Sequence, residues 1–174
     1  MAEPQTLVNR VEQSGIITLD LEQYYPSEAV VEFDLKKYLV REMVLMEKPF
    51  REELKNIDWS SFTGKIAAIF CSNDALIPMW AYMLAASCLK PYAKNIVFGN
   101  KEQALSAVML EMLAQIDLKE FTGARVVIKG CGEKQIPPDV YVAATAALQP
   151  VVQSLMYGEP CSAVPVYKKP KTSG

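Results

Sequence analysis

The chain has 174 residues, just over half of them hydrophobic and 22% charged, with a net charge of −2. That is enough length to bury a core without disulfides or a structural metal, and there is no basic footprint for nucleic acid beyond Lys168, Lys169 and Lys171 of a solvated tail. No apolar run reaches the roughly eighteen residues of a membrane span, and the amino-terminal MAEPQTLVNR is too polar for a signal peptide, so a cytoplasmic location is expected.

No internal repeat, low-complexity tract or long linker stands out. The expected organisation is a single domain over 1–174, with an N-terminal part (1–63), a core (64–168) and a flexible tail (169–174). Gly15 before Ile16, Ile17, Thr18 and Leu19 predicts a strand ending near Asp20. Residues 30–39 read as extended or helical, with Asp34 placed to cap a turn. Residues 43–57 read as a helix that Pro49 divides or restarts.

From Gly64 onward apolar runs of strand length alternate with helical stripes. The strands are 66–71, 95–99, 125–131 and 164–167. One stripe carries Ile77, Trp80, Ala81, Leu84, Ala85, Cys88 and Leu89; a second carries Leu105, Val108, Met109, Met112, Leu113 and Ile116. A third runs from Val140 through Ala144 and Leu148 to Leu155, keeping its phase across Pro150. The order β-α-β-α-β-α predicts a three-layer α/β/α sandwich with a mainly parallel sheet, whose strands are continuously apolar because both faces are covered.

Ligands of open parallel sheets gather beyond the carboxyl ends of the strands. The turns there are Cys71-Ser72-Asn73-Asp74, Gly99-Asn100 and Gly130-Cys131-Gly132-Glu133. Cys71 and Asp74 fit either a strand-end thiol with a helix-capping carboxylate or a pair of metal ligands. Cys131 lies between glycines, with Lys129 and Lys134 near enough in sequence to favour a thiolate. Cys88 sits on an apolar stripe and belongs to the core.

Histidine is absent, which excludes Ser-His-Asp and Cys-His nucleophiles and imidazole metal sites within one chain. Four cysteines in an unsecreted chain are read as thiols, ligands or core residues rather than as a disulfide framework. Cys161 is the contested one. A continuous third helix, at about 1.5 Å per residue, carries it roughly 28 Å away, to the far end of the sheet. It reaches the other thiols if the chain turns back at Pro150, if the loop returns across the sheet edge, or if a second subunit supplies it. In those cases Cys71, Asp74, Cys131 and Cys161 form a set suited to zinc, or to transient holding of iron or persulfide sulfur. Asn100, Glu133 and Glu159 are further candidates as ligand or acid/base. No dinucleotide or P-loop glycine pattern occurs, and Tyr24, Tyr25, Trp59, Trp80 and Tyr141 read as core or interface anchors.

The segments MEKPFREELKNIDW, FCSNDALIPMWAYML, VVIKGCG and VYVAATAALQPVVQSLMYGEPCSAVPVYKK resemble a bacterial family, common in Bacteroidetes, catalogued as a domain of unknown function and DUF2480-like, over nearly the whole chain. The resemblance carries no activity. It implies a setting, since members are often encoded beside iron–sulfur cluster assembly proteins, and the Cys/Asp set is similar in kind to the ligands of assembly scaffolds. The leading expectation is therefore a metal- or sulfur-binding accessory factor with iron–sulfur assembly proteins as partners. Two alternatives stand beside it: a noncatalytic homodimeric or small-ligand module, and a thiol enzyme with Cys131 or Cys161 as nucleophile and Asp74 or Glu159 as acid or base.

Overall fold

In chain order the strands are β1 (Ile16–Leu19), β2 (Val30–Asp34), β3 (Leu39–Val40), β4 (Val44–Leu45), β5 (Ile66–Phe70), β6 (Asn95–Phe98), β7 (Arg125–Lys129), β8 (Ser154–Glu159) and β9 (Ser162–Lys168). The α-helices are α1 (Glu47–Lys55), α2 (Met79–Leu89), α3 (Lys101–Leu113) and α4 (Pro138–Leu148). The computed structural model describes residues 15–130, 132–159 and 162–170. It is a mixed α/β protein with largely parallel sheets, and it divides into two compact units: a central one, Pro26–Glu111, and a second formed by Met1–Tyr25 with Met112–Gly174.

The central unit holds the parallel sheet β2-β5-β6. Strand β5 is apolar throughout because its alternate side chains enter different layers. Ala67 and Ile69 pack with Phe33, Phe50, Ala81, Ala85 and Leu89, whereas Ile66 and Ala68 pack with Ala104 and Val108 of α3. Ala81, Ala85 and Leu89 recur at helical spacing and form the buried stripe of α2. Pro49 neither divides nor restarts α1. It lies in the first turn, where a missing N–H breaks no intrahelical bond. The expected helix over 43–57 also loses its beginning, because Val44 and Leu45 pair antiparallel with Val40 and Leu39. Arg41 and Glu42, both at positive φ, turn the chain between them.

The second unit holds the sheet β1-β7-β8-β9, in which β9 alone runs antiparallel. Two expectations change here. The strands near 66, 95 and 125 do not share one sheet, since β7 pairs with β1 and β8 rather than with β6. The third helix stops at Leu148, and residues 154–159 form β8. Pro150 cannot continue the helical hydrogen bonds, and Gly123 donates to the Val151 carbonyl at 2.8 Å, which turns the chain back along β7. Val152 and Leu155 are fully buried as predicted, but outside any helix.

The two units repeat one pattern, which the sequence analysis missed. Residues 57–100 align on 116–159 at a constant offset of 59 without a gap, matching Asp58 with Asp117, Phe62-Thr63-Gly64 with Phe121-Thr122-Gly123, Pro78 with Pro137, Tyr82 with Tyr141 and Gly99 with Gly158. Registers follow the same offset: Ile66 pairs with Asn95 as Arg125 pairs with Ser154. The first strands match as well, for Asp20-Leu21-Glu22-Gln23-Tyr24 parallels Asp34-Leu35-Lys36-Lys37-Tyr38, and Ile16 meets Arg125 as Val30 meets Ile66. Each aspartate caps a 3₁₀ turn, its side chain accepting from the amide two residues on. The copies diverge after the third strand: β6 leads into α3, whereas β8 leads into β9.

Candidate functional site

In the second unit the parallel strands end at Leu19, Lys129 and Glu159, with Asp20 directly after the first. The Lys129 ammonium donates to Asp20 Oδ2 at 2.8 Å, and the Glu22 amide donates to Oδ1 at 3.0 Å. The bond from Lys129 holds the Asp20 carboxyl below the usual carboxylate range, with the Glu22 amide reinforcing it and burial opposing it. Reciprocally, Asp20 holds the Lys129 ammonium above its usual value, against the opposing effect of burial. Glu22 reaches into the loop after β7, accepting from the Lys134 amide at 2.5 Å. Gly132 permits this, because a Cβ there would overlap the Glu22 carboxylate. The Lys134 ammonium stands 4.9 Å from the centre of the Tyr25 ring. Asp20, Glu22, Lys129, Gly132 and Lys134 line a polar recess of about 20 Å³, room for about one water.

The end of β7 runs close beside β8, where Lys129 pairs with Gly158 and Gly158 pairs in turn with Ala163 of β9. A Cβ placed on Gly130 would lie 3.1 Å from Gly158 Cα, and one on Gly158 would lie 2.8 Å from the Ser162 carbonyl oxygen. Glu159 pairs with Ser162 at the end of the β8–β9 hairpin. Cys131 and Cys161 lie outside the described residues. Their described chain neighbours, Gly130 and Gly132 for one and Glu159 and Ser162 for the other, stand at the carboxyl end of this sheet. Glu133 is exposed there. Lys129, expected to favour a thiolate at Cys131, is already paired with Asp20.

In the central unit Cys71 and Asp74 share the turn after β5, but they differ in setting. Cys71 is a half-buried free thiol packed against the core, and Asp74 is exposed. The polar groups around them bond to one another. Ser72 donates its amide to Asp34 Oδ1 at 3.0 Å and its hydroxyl to Oδ2 at 2.6 Å. Burial pushes the Asp34 carboxyl up, but these bonds and the one from the Lys36 amide outweigh it and leave the carboxyl below its ordinary value. Asn100, weighed as a ligand, caps α3: its Oδ1 accepts from the Gln103 amide and its own amide donates to Gln103 Oε1, both at 3.0 Å. Cys88 is half-buried against the central core, and burial raises its thiol. Cys71 and Asp74 thus belong to the central unit, whereas the described chain neighbours of Cys131 and Cys161 belong to the other. Among the described residues no group of three or more Cys, Asp or Glu is arranged to hold a metal ion.

Asp20 and Glu22 escaped the sequence analysis, although the repeated Asp-Leu-x-x-Tyr pattern marked their place. A second feature also escaped it. On one face of the second unit, Ile128, Tyr141, Val142, Met156, Tyr157 and Val166 line an apolar groove of about 580 Å³.

Fold and site together define an α/β protein of two homologous units, each gathering polar turns at the carboxyl ends of a parallel sheet. Among the described residues no helix is long and apolar enough to cross a membrane. A family model described as a protein of unknown function (DUF2480) matches residues 5–169, and the chain belongs to that family. No curated protein and no solved structure matches it.

Proposed function

We propose that the chain is an accessory factor that holds a metal ion or a sulfur species through strand-end cysteines, with iron–sulfur cluster assembly as the setting that the family resemblance implies. The pairing of Lys129 with Gly158 carries this reading, because it brings the ends of β7 and β8 side by side. In sequence Cys131 follows Gly130, the residue after β7, and Cys161 lies between the paired ends of β8 and β9, Glu159 and Ser162. Two thiolates brought together with a carboxylate such as Glu159 would make a donor set of the zinc or iron type. The test is metal and sulfur analysis of untagged protein purified without chelator. About one zinc or iron per chain, or a persulfide on Cys131 or Cys161 seen by mass spectrometry, is expected, and Cys131→Ser or Cys161→Ser should remove it. Cys71→Ser and Asp74→Asn then report whether the central pair takes part. Protein that carries no metal, takes up none anaerobically and bears no persulfide ends this reading.

The apolar groove favours a second reading, a noncatalytic module for a small apolar ligand or partner. Binding of an apolar fluorescent dye that survives the Cys131→Ser, Cys161→Ser double substitution and is lost in Val142→Lys supports it. Loss in the cysteine variant counts against it.

A further inference from the structure

Strand β6 is the copy of β8, and the two differ at their outer edges. Strand β8 carries β9 antiparallel along its length, whereas among the described residues no strand pairs with the outer edge of β6. An unpaired edge exposes a row of amide and carbonyl groups, and proteins guard such edges with charge, proline or a bulge. Strand β9 has all three, with Lys168, Pro165 and a register shift opposite Leu155 and Met156. Strand β6 reads Asn95-Ile96-Val97-Phe98 and has none of them.

Apolar surface lies beside this open edge. Phe98 is 72% exposed, with the Tyr82 ring edge-on to it at 5.3 Å, and Met79 and Met83 are 69% and 71% exposed on the same helix as Tyr82. The second unit repeats the arrangement with Tyr141 edge-on to Tyr157 at 5.7 Å. There, Val166 of β9 lines the groove together with Pro138, Tyr141 and Val142, the counterparts of Met79, Tyr82 and Met83. One copy of the pattern thus has an antiparallel strand beside its helix, and among the described residues the other has none.

We propose that a second copy of this chain supplies that strand, two β6 edges pairing antiparallel about a two-fold axis between Ile96 and Val97. The segment is self-complementary in this register. Asn95 of one copy meets Phe98 of the other, Ile96 meets Val97, and Lys94 meets Gly99, so no like charges face each other. The contact is isologous and closes at two copies, and it sets a partner strand beside Phe98 and Met83 as β9 sets Val166 beside Tyr157 and Val142 in the groove of the second unit. It does not depend on the thiol reading.

Sedimentation velocity of the full chain, from low micromolar concentration upward, tests the pairing, together with amide hydrogen exchange. A dimer is expected in which residues 95–98 exchange slowly. Phe98→Lys should weaken it about tenfold or more and release those amides, while Val142→Lys, on the corresponding surface of the second unit, should leave it intact. Met83→Lys, at an exposed helix position, reads the same surface if Phe98→Lys fails to fold. A chain that stays monomeric at every concentration overturns the proposal. So does a dimer that survives both β6-side substitutions, or one whose residues 95–98 exchange freely.

Discussion

Asp20 follows β1, caps the turn that comes next and pairs with Lys129. A carboxyl held below its unfolded value stabilises the fold above about pH 4, and that contribution is lost as pH falls through the folded value. Asp20→Asn keeps the cap but removes the charge. Its stability deficit, measured by urea unfolding, should therefore be present near neutral pH and vanish in strong acid; a deficit that persists in acid would contradict this linkage. Gly132→Ala should displace Glu22 from the Lys134 amide and cost about 1 kcal/mol, and the cost should disappear when Glu22 is already alanine. A double-mutant cycle by chemical denaturation reads this coupling. Neither partnership was visible in the chain, because Lys129 follows Asp20 by 109 residues and Lys134 follows Glu22 by 112. Cys88 was legible because its neighbours on the stripe, Ala81, Ala85 and Leu89, follow local periodicity.

The helix α3 begins at a reciprocal cap made by Asn100 and Gln103. Its sequence signal, an asparagine three residues before a glutamine, was present but was read as ligand chemistry, since both roles call for the same exposed amide. Asn100→Ala should lower stability by about 1 kcal/mol, seen as a reduced denaturation midpoint with an unchanged slope. A null effect would mean that the cap contributes nothing. The segment after Pro150 shows the opposite failure. Val152 and Leu155 keep the phase of α4 and are buried as that phase demands, yet Leu155 lies in a strand. A buried strand covered on both faces and a buried helix share one apolar signature over so short a run, and pairing with β7 decides between them.

The duplication links the two units and explains how the single-sheet expectation arose. Strand, helix and strand follow one another twice with the same spacing, so the chain reads as one long alternation. In the folded protein each repeat recruits its own leading strand, β2 to β5 and β1 to β7, and closes a separate sheet. The repeat itself was hidden because most matched positions keep only their character, as in Ala67-Ala68 against Val126-Val127. The leading strands also stand at a different spacing from the rest. The α/β class, the parallel strands and their polar carboxyl-end turns were written in local pattern, since apolar period, proline and glycine act within a few residues of themselves. Which strands share a sheet, that the chain turns back after Leu148, and that Asp20 and Glu22 brace the turn after β7 were decided only by tertiary structure. Each is a pairing between residues far apart in sequence, and many pairings satisfy the same local pattern until packing selects one.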